Sequence, residues 1–316
     1  MHRRSFLKLL GGATAGVLVA NARGAENSDK LGELLPRRKL GKTGATVTML
    51  GLGGWHVGAM NERDAQETIE KAIAGGVRFF DTAESYHGGG SEQRLGKLLV
   101  PKYREHIFLM TKTTAHDAAT ARKHLDGSLQ RLGTDHLDLW QMHSVHEPGD
   151  VDHRLEAGVL DVLLEAKAAG KVRFIGFTGH LLPEGHLRVL EKADAFETCQ
   201  MPINVLDPSY HSFVKNVLPR LVERDMGVLA MKTLANGGFF RGSSPLVPNR
   251  ISMREAIHFV WSLPVSVLIS GPDNPAQFAE KIELARSFAN LDEKAREALI
   301  VKVADLAGRG VENYKA

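Results

Sequence analysis

Asp81, Tyr86, Lys112 and His143 are the residues of this chain whose types and spacing could do chemistry together. Asp81, Lys112 and His143 each fall 31 residues apart, at or just past the ends of the apolar runs 77–82, 107–112 and 137–143. A phenol, an ammonium, a carboxylate and an imidazole in one place can deliver a proton to a carbonyl oxygen as hydride reaches its carbon. Tyr86 is the donor in this reading. An unperturbed phenol has a pKa of about 10, and a cation beside it favours the phenolate, so Lys112 is expected to lower it. Asp81 compensates a lysine that would be costly to bury alone. His143 orients the substrate oxygen.

An interval of 31 residues is one strand, one helix and two loops. Polar groups recurring at the C-terminal tips of successive buried strands are how a (β/α)8 barrel assembles a site, because those tips share one face. The chain alternates accordingly. Strands are expected at 47–53, 77–82, 107–112, 137–143, 172–177, 198–203, 228–232 and 265–270. Helices are expected at 61–76, 91–99, 120–133, 154–170, 183–193, 214–227, 253–263 and 274–288. Continuous apolar runs such as IFLM suit strands buried on both faces. The fold class is therefore α/β, a (β/α)8 TIM barrel, with an N-terminal β-hairpin over 37–54 and an extra C-terminal helix over 291–306.

Length and composition agree with one enzyme-sized domain: 316 residues, 43% hydrophobic and 24% charged. Residues 1–22 read as a twin-arginine export signal, 23–35 as a polar linker and 36–316 as the barrel domain. Arg3 and Arg4 precede Phe6, Leu7 and Lys8, a weakly apolar stretch over 9–20 follows, and Ala20 and Ala22 suit a peptidase. Twelve residues are too few to cross a hydrocarbon core of ~30 Å as a helix, so no stable membrane span is expected. The formal charge of +3 comes from Arg3, Arg4 and Lys8; without them the chain is formally neutral, and no basic stripe suggests nucleic acid. Cys199 is the only cysteine, which fits export after folding into the periplasm, with the cofactor already bound and the twin-arginine machinery as partner.

At these residues the chain resembles the aldo-keto reductase superfamily. DTAESYHGGGSEQRLG (81–96), MTKT (110–113), LDLWQMH (137–143), GKVRFIGFTGH (170–180), Gln200 and the opening hairpin match that family's motifs in order. The resemblance covers roughly residues 36–290. It implies an NAD(P)H-dependent oxidoreductase that reduces an aldehyde or ketone, a small-molecule carbonyl substrate, with Asp81, Tyr86, Lys112 and His143 catalytic. It also implies a cofactor across the barrel mouth, contacted by Gly53, Trp55, Asp81, Thr178, Gly179, Gln200, Met231, Lys232, Leu234, Gly271, Asp273, Gln277 and Glu280. Trp55, Tyr86 and His143 would face the substrate. Met231 stands where many relatives stack an aromatic on the nicotinamide. NADP(H) is expected ahead of NAD(H), although the loop over 271–281 offers only Lys281 as a cation, with Lys232 as a compensating one. His87, His146, Phe239 and Phe240 are further pocket candidates, on loops 144–153 and 236–250 or beside the signature.

Two other readings use the same residues. A non-turning nicotinamide-nucleotide sensor would keep the fold without turnover. A metal-dependent barrel hydrolase is disfavoured, since no His-x-His marks the first strand, and no metal is expected.

Overall fold

A computed structural model describes residues 27–237 and 250–316. Residues 1–22, expected as an export signal, together with Phe239 and Phe240, lie outside the described residues. Eight parallel strands close into a barrel in chain order: β1 (Leu50–Gly53), β2 (Phe79–Asp81), β3 (Phe108–Thr113), β4 (Leu137–Met142), β5 (Val172–Thr178), β6 (Thr198–Pro202), β7 (Gly227–Met231) and β8 (Val267–Ser270). Each strand hydrogen-bonds to the next, and β8 returns to β1 through Leu268 opposite Leu50. The expected barrel is the observed one, with strand ends displaced by up to three residues.

Side chains alternate across a strand, so parity decides which residues enter the barrel. Phe79, Phe108, Met110, Leu139, Leu229, Val267 and Ile269 form one apolar cluster inside it, whereas Phe80, Leu109, Trp140 and Leu268 pack outward under the helices. The Phe79 and Phe108 rings stack at 4.9 Å, filling the lower layer. Asp81 shares the parity of Phe79, Lys112 that of Met110 and His143 that of Leu139. The same alternation that builds an apolar floor therefore turns these polar groups inward one layer higher. The hairpin pairing Arg37–Lys39 with Thr46–Thr48 closes the opposite end, and its Leu40 and Val47 join the inner cluster.

Three expectations change. The helix expected over 154–170 is two, Pro148–Glu156 and Val159–Ala168, because Gly158 between them is left-handed (φ 79°). Part of the loop expected over 144–153 is thus helical. The helix expected over 214–227 is broken into Phe213–Asn216 and Leu218–Glu223, where Pro219 has no N–H to continue the ladder. Within the stretch expected as a linker, Ser28–Asp29 pairs with Gly32–Glu33, and Asp29 takes a two-pronged ion pair from the buried Arg78.

The extra helix forms at Glu293–Val303, capped by Asp292. Beyond it, residues 311–316 fold back over the barrel rim. Ala316 N–H donates to Leu181 O at 3.1 Å. Lys315, fully buried, lies 2.8 Å from both Asp207 and Glu312. Among the described residues, no helix is long and apolar enough to cross a membrane, and no group of three or more His, Cys, Asp or Glu could hold a metal ion.

Candidate active site

Asp81 ends β2, and the chain must turn sharply to bring Tyr86 back over the mouth. It does so through a 3-10 turn at Tyr86–Gly89 in which His87 (φ 53°), Gly88 (φ 62°) and Gly89 (φ 90°) are all left-handed. Glycine suits the position because of that left-handed φ, and a Cβ on Gly89 would also press on the Arg131 side chain at 2.8 Å. The turn is anchored by a buried chain of hydroxyls: Thr82 Oγ1 and Ser91 Oγ are 2.8 Å apart, and Ser91 donates to Gly54 O. Thr82 and Ser91 both lie in the run 81–96, but nothing in their spacing foretells that their hydroxyls meet.

The three polar groups meet as expected. Lys112 Nζ donates to Tyr86 Oη at 3.1 Å and to Thr82 O at 2.7 Å. Its ammonium also lies 2.5 Å from Asp81 Oδ1, a buried ion pair. His143 follows β4, its N–H bound to Thr113 O and its carbonyl held by the buried Arg154 at 2.7 Å. Its ring meets the Tyr86 ring edge-on at 5.8 Å.

The electrostatics depart from expectation in one respect. Burial pushes the Tyr86 phenol above its ordinary pKa; Lys112 pulls it down without overcoming burial and the nearby Asp81 and Glu84 charges. Counting charges along a sequence cannot weigh desolvation against them. Burial alone would push Lys112 down, but Asp81 and Tyr86 hold its ammonium above the usual value. Burial likewise lifts Asp81, against the pull of Lys112, Gln200 and the Gly54 amide. His143 is driven well below its usual value by burial and then by Lys112, His180, Arg154 and Lys232, so it is neutral at pH 7. Among the described residues its buried Nδ1 has no hydrogen-bond partner. The arrangement thus holds a protonated phenol, a charged amine and an uncharged imidazole around one opening.

The remaining candidates ring the same mouth. Gly53 ends β1, where a Cβ would lie 3.2 Å from Gly271 N. Trp55 is half-exposed, and its carbonyl accepts from the exposed His87 Nε2 at 2.8 Å. Thr178 ends β5 opposite Gln200 on β6. Gly179 has no room for a side chain, since a Cβ would meet Val145 O at 2.3 Å. Met231 ends β7, half-buried, followed by Lys232 in a left-handed conformation (φ 57°) and by the half-buried Leu234. Gly271 abuts the His56 ring, Asp273 is exposed and 4.0 Å from His56 Nε2, and Gln277 Oε1 accepts from Asp273 N–H. Glu280 is exposed beside Lys281, which is buried and pushed down to about 8 by desolvation. His146 is exposed, 3.3 Å from Ser144 Oγ.

A nicotinamide cofactor fits these residues. Gln200 Oε1 is buried with no donor among the described residues, beside Asp81, which is what a primary amide would satisfy.

The model of the Aldo/keto reductase family matches residues 49–296. Over 224 residues the chain is 32% identical to the L-galactose dehydrogenase of Arabidopsis thaliana, a match spanning 63% of this chain and 66% of that protein's length. Two solved structures share the fold: an aldo-keto reductase of Bacillus halodurans in its holo form (TM-score 0.76, 20% identity, 88% of this chain and 99% of that one), and an aldo-keto reductase of Klebsiella pneumoniae in complex with NADPH (TM-score 0.69, 22% identity, 84% and 94%).

Proposed function

The chain belongs to the aldo/keto reductase family, and from that premise we propose that it is an NADP(H)-dependent oxidoreductase that reduces an aldehyde or ketone to an alcohol with Tyr86 as proton donor. The observation that carries this reading is the Tyr86 hydroxyl at 3.1 Å from the Lys112 ammonium, with the neutral His143 ring against its edge. A nicotinamide held by Gln200, Thr178 and the loop after β8 supplies the hydride when bound. NADP(H) is favoured over NAD(H) because Lys281 offers an amine on the helix Pro275–Arg286 that follows that loop and because the Klebsiella relative was solved with NADPH.

The residues divide the work by charge. As negative charge grows on the substrate oxygen, the Tyr86 hydroxyl surrenders its proton, and Lys112 steadies the phenolate left behind. Asp81 keeps Lys112 protonated. His143, uncharged, can hold the carbonyl without competing to protonate it. Solvent then returns the proton to Tyr86.

The test is NADPH oxidation in the presence of a panel of aldehydes and ketones. Negligible oxidation despite tight nucleotide binding would make the protein a sensor and remove the proposal. The pH profile carries a sign. Reduction needs Tyr86 protonated, and its pKa is raised, so kcat/KM should stay flat from about pH 6 to about pH 10 and fall only above that. A decline centred near neutrality would assign the proton to another group.

Export is a separate proposal, supported by Arg3 and Arg4 ahead of Phe6-Leu7-Lys8. Replacing both arginines by lysine (R3K/R4K) is expected to leave the protein in the cytoplasm on cell fractionation. Unchanged periplasmic yield removes it.

A further inference from the structure

Tyr86 lies off the barrel, beyond the end of β2 at Asp81, so its loop must be held against the end of β3, where Lys112 sits. At the start of that loop the Thr82 N–H donates to Met110 O at 3.0 Å, and after it the left-handed turn swings the ring over the mouth. Between them come Ala83, Glu84 and Ser85. Ala83 is buried and apolar and Ser85 is exposed, which leaves Glu84 to make a polar tie. Its side chain is only 6% exposed, and its Oε1 accepts from the Thr114 N–H at 2.7 Å and from the Thr114 hydroxyl. His124, part-exposed on the helix Ala118–Leu132, brings Nδ1 to 3.4 Å from the same oxygen and 2.9 Å from Thr113 Oγ1.

This tie brackets the reacting pair. Glu84 precedes Tyr86 by two residues and Thr114 follows Lys112 by two. Two contacts therefore join the same two segments, 3.1 Å between Lys112 and Tyr86 and 2.7 Å between Thr114 and Glu84. A buried carboxylate is costly to place, and Glu84 Oε2 is buried with no hydrogen-bond partner among the described residues. Its charge does not aid proton release either, since behind burial and Asp81 it raises the Tyr86 phenol. Reach rather than charge is what an acid of this length supplies here.

We propose that Glu84 is a positioning residue: by accepting from Thr114 it fixes the loop that carries Tyr86 against the end of β3, and so sets the distance between the phenol and Lys112. This rests on the reductase reading above. The tie matters because a displacement of about 1 Å at a reacting group can slow a reaction by about 10²-fold.

Two variants separate reach from charge. Glu84→Gln keeps the length and an acceptor for Thr114 but drops the charge, whereas Glu84→Asp keeps the charge and falls one methylene short. The readout is the single-turnover rate of NADPH oxidation with an aldehyde that the wild type reduces. That rate should stay within about threefold of wild type in Glu84→Gln and fall by about 10- to 100-fold in Glu84→Asp, while NADPH affinity by calorimetry moves less than about twofold in both. In a Tyr86→Phe background Glu84→Asp should have no further effect, because the hydroxyl it acts through is gone. Equal losses in the two variants would make charge the cause and overturn the inference. Wild-type rates in Glu84→Asp would overturn it too, as would a loss that persists in full beside Tyr86→Phe. If no carbonyl is reduced, the reductase reading has failed, and carbon-13 NMR of protein labelled at tyrosine Cζ still decides. The resonance that disappears in Tyr86→Phe should keep its position in Glu84→Gln and move or broaden in Glu84→Asp. An unmoved resonance in Glu84→Asp overturns the inference.

Discussion

Tyr86→Phe is expected to lower kcat for carbonyl reduction by about 10²- to 10⁴-fold, the usual contribution of a positioned general acid, which corresponds to about 3–5 kcal/mol of barrel-mouth transition-state stabilisation. The substitution removes one hydroxyl and leaves the ring. Lys112 keeps Thr82 O at 2.7 Å and its ion pair with Asp81, so neither buried charge is stranded. Folding and NADPH affinity by calorimetry should therefore change little while kcat collapses. Retention of more than about a tenth of wild-type kcat would fall outside the range for a general acid and would transfer the proton to water or to His143.

Lys112→Met is expected to damage both activity and fold. Asp81 would be left buried with its principal cation gone, retaining only the support of Gln200 and the Gly54 amide. Breaking a buried pair from one side typically costs about 3–5 kcal/mol, a large share of the ~5–15 kcal/mol that holds a domain folded. The phenol, already raised by burial, would lose the one group that opposes that rise, so kcat should fall by at least about 10²-fold. Stability and catalysis can be separated with Asp81→Asn in the Lys112→Met background. Urea unfolding should recover most of the lost stability in the double variant, because no buried charge remains, while kcat stays low. Equal stability of the single and double variants would show that the pair is not what stabilises this layer.

Parity made much of this site readable before any coordinates. Asp81, Lys112 and His143 keep the alternation of Phe79, Met110 and Leu139, so the apolar pattern that announces a strand also dictates which polar residues enter the barrel. Gln200 and Thr178 follow by the same rule and face each other across β5 and β6. Tyr86 is different. It stands off the strand, and only the His-Gly-Gly-Gly run after it hints at the left-handed turn that returns it to the mouth.

What could not be read comes from long-range contact. Nothing periodic in Glu312-Asn313-Tyr314-Lys315 foretells that Lys315 is buried between Asp207 and Glu312, some hundred residues from one and three from the other. Arg154, which holds the His143 carbonyl, lay inside an expected helix as one charged residue among several. The direction of the Tyr86 shift is hidden for a related reason: it depends on how completely water is excluded, a property of the closed barrel rather than of any neighbour in sequence.

The placement of the three tryptophans has a practical consequence. Trp140 and Trp261 are sealed at 0% and 1% exposure, whereas Trp55 stands 50% exposed beside His87. Intrinsic emission from this chain therefore divides into two shielded emitters and one at the opening. Iodide should quench the third selectively, and whatever occupies the mouth should shield it, so occupancy can be followed optically without attaching a dye.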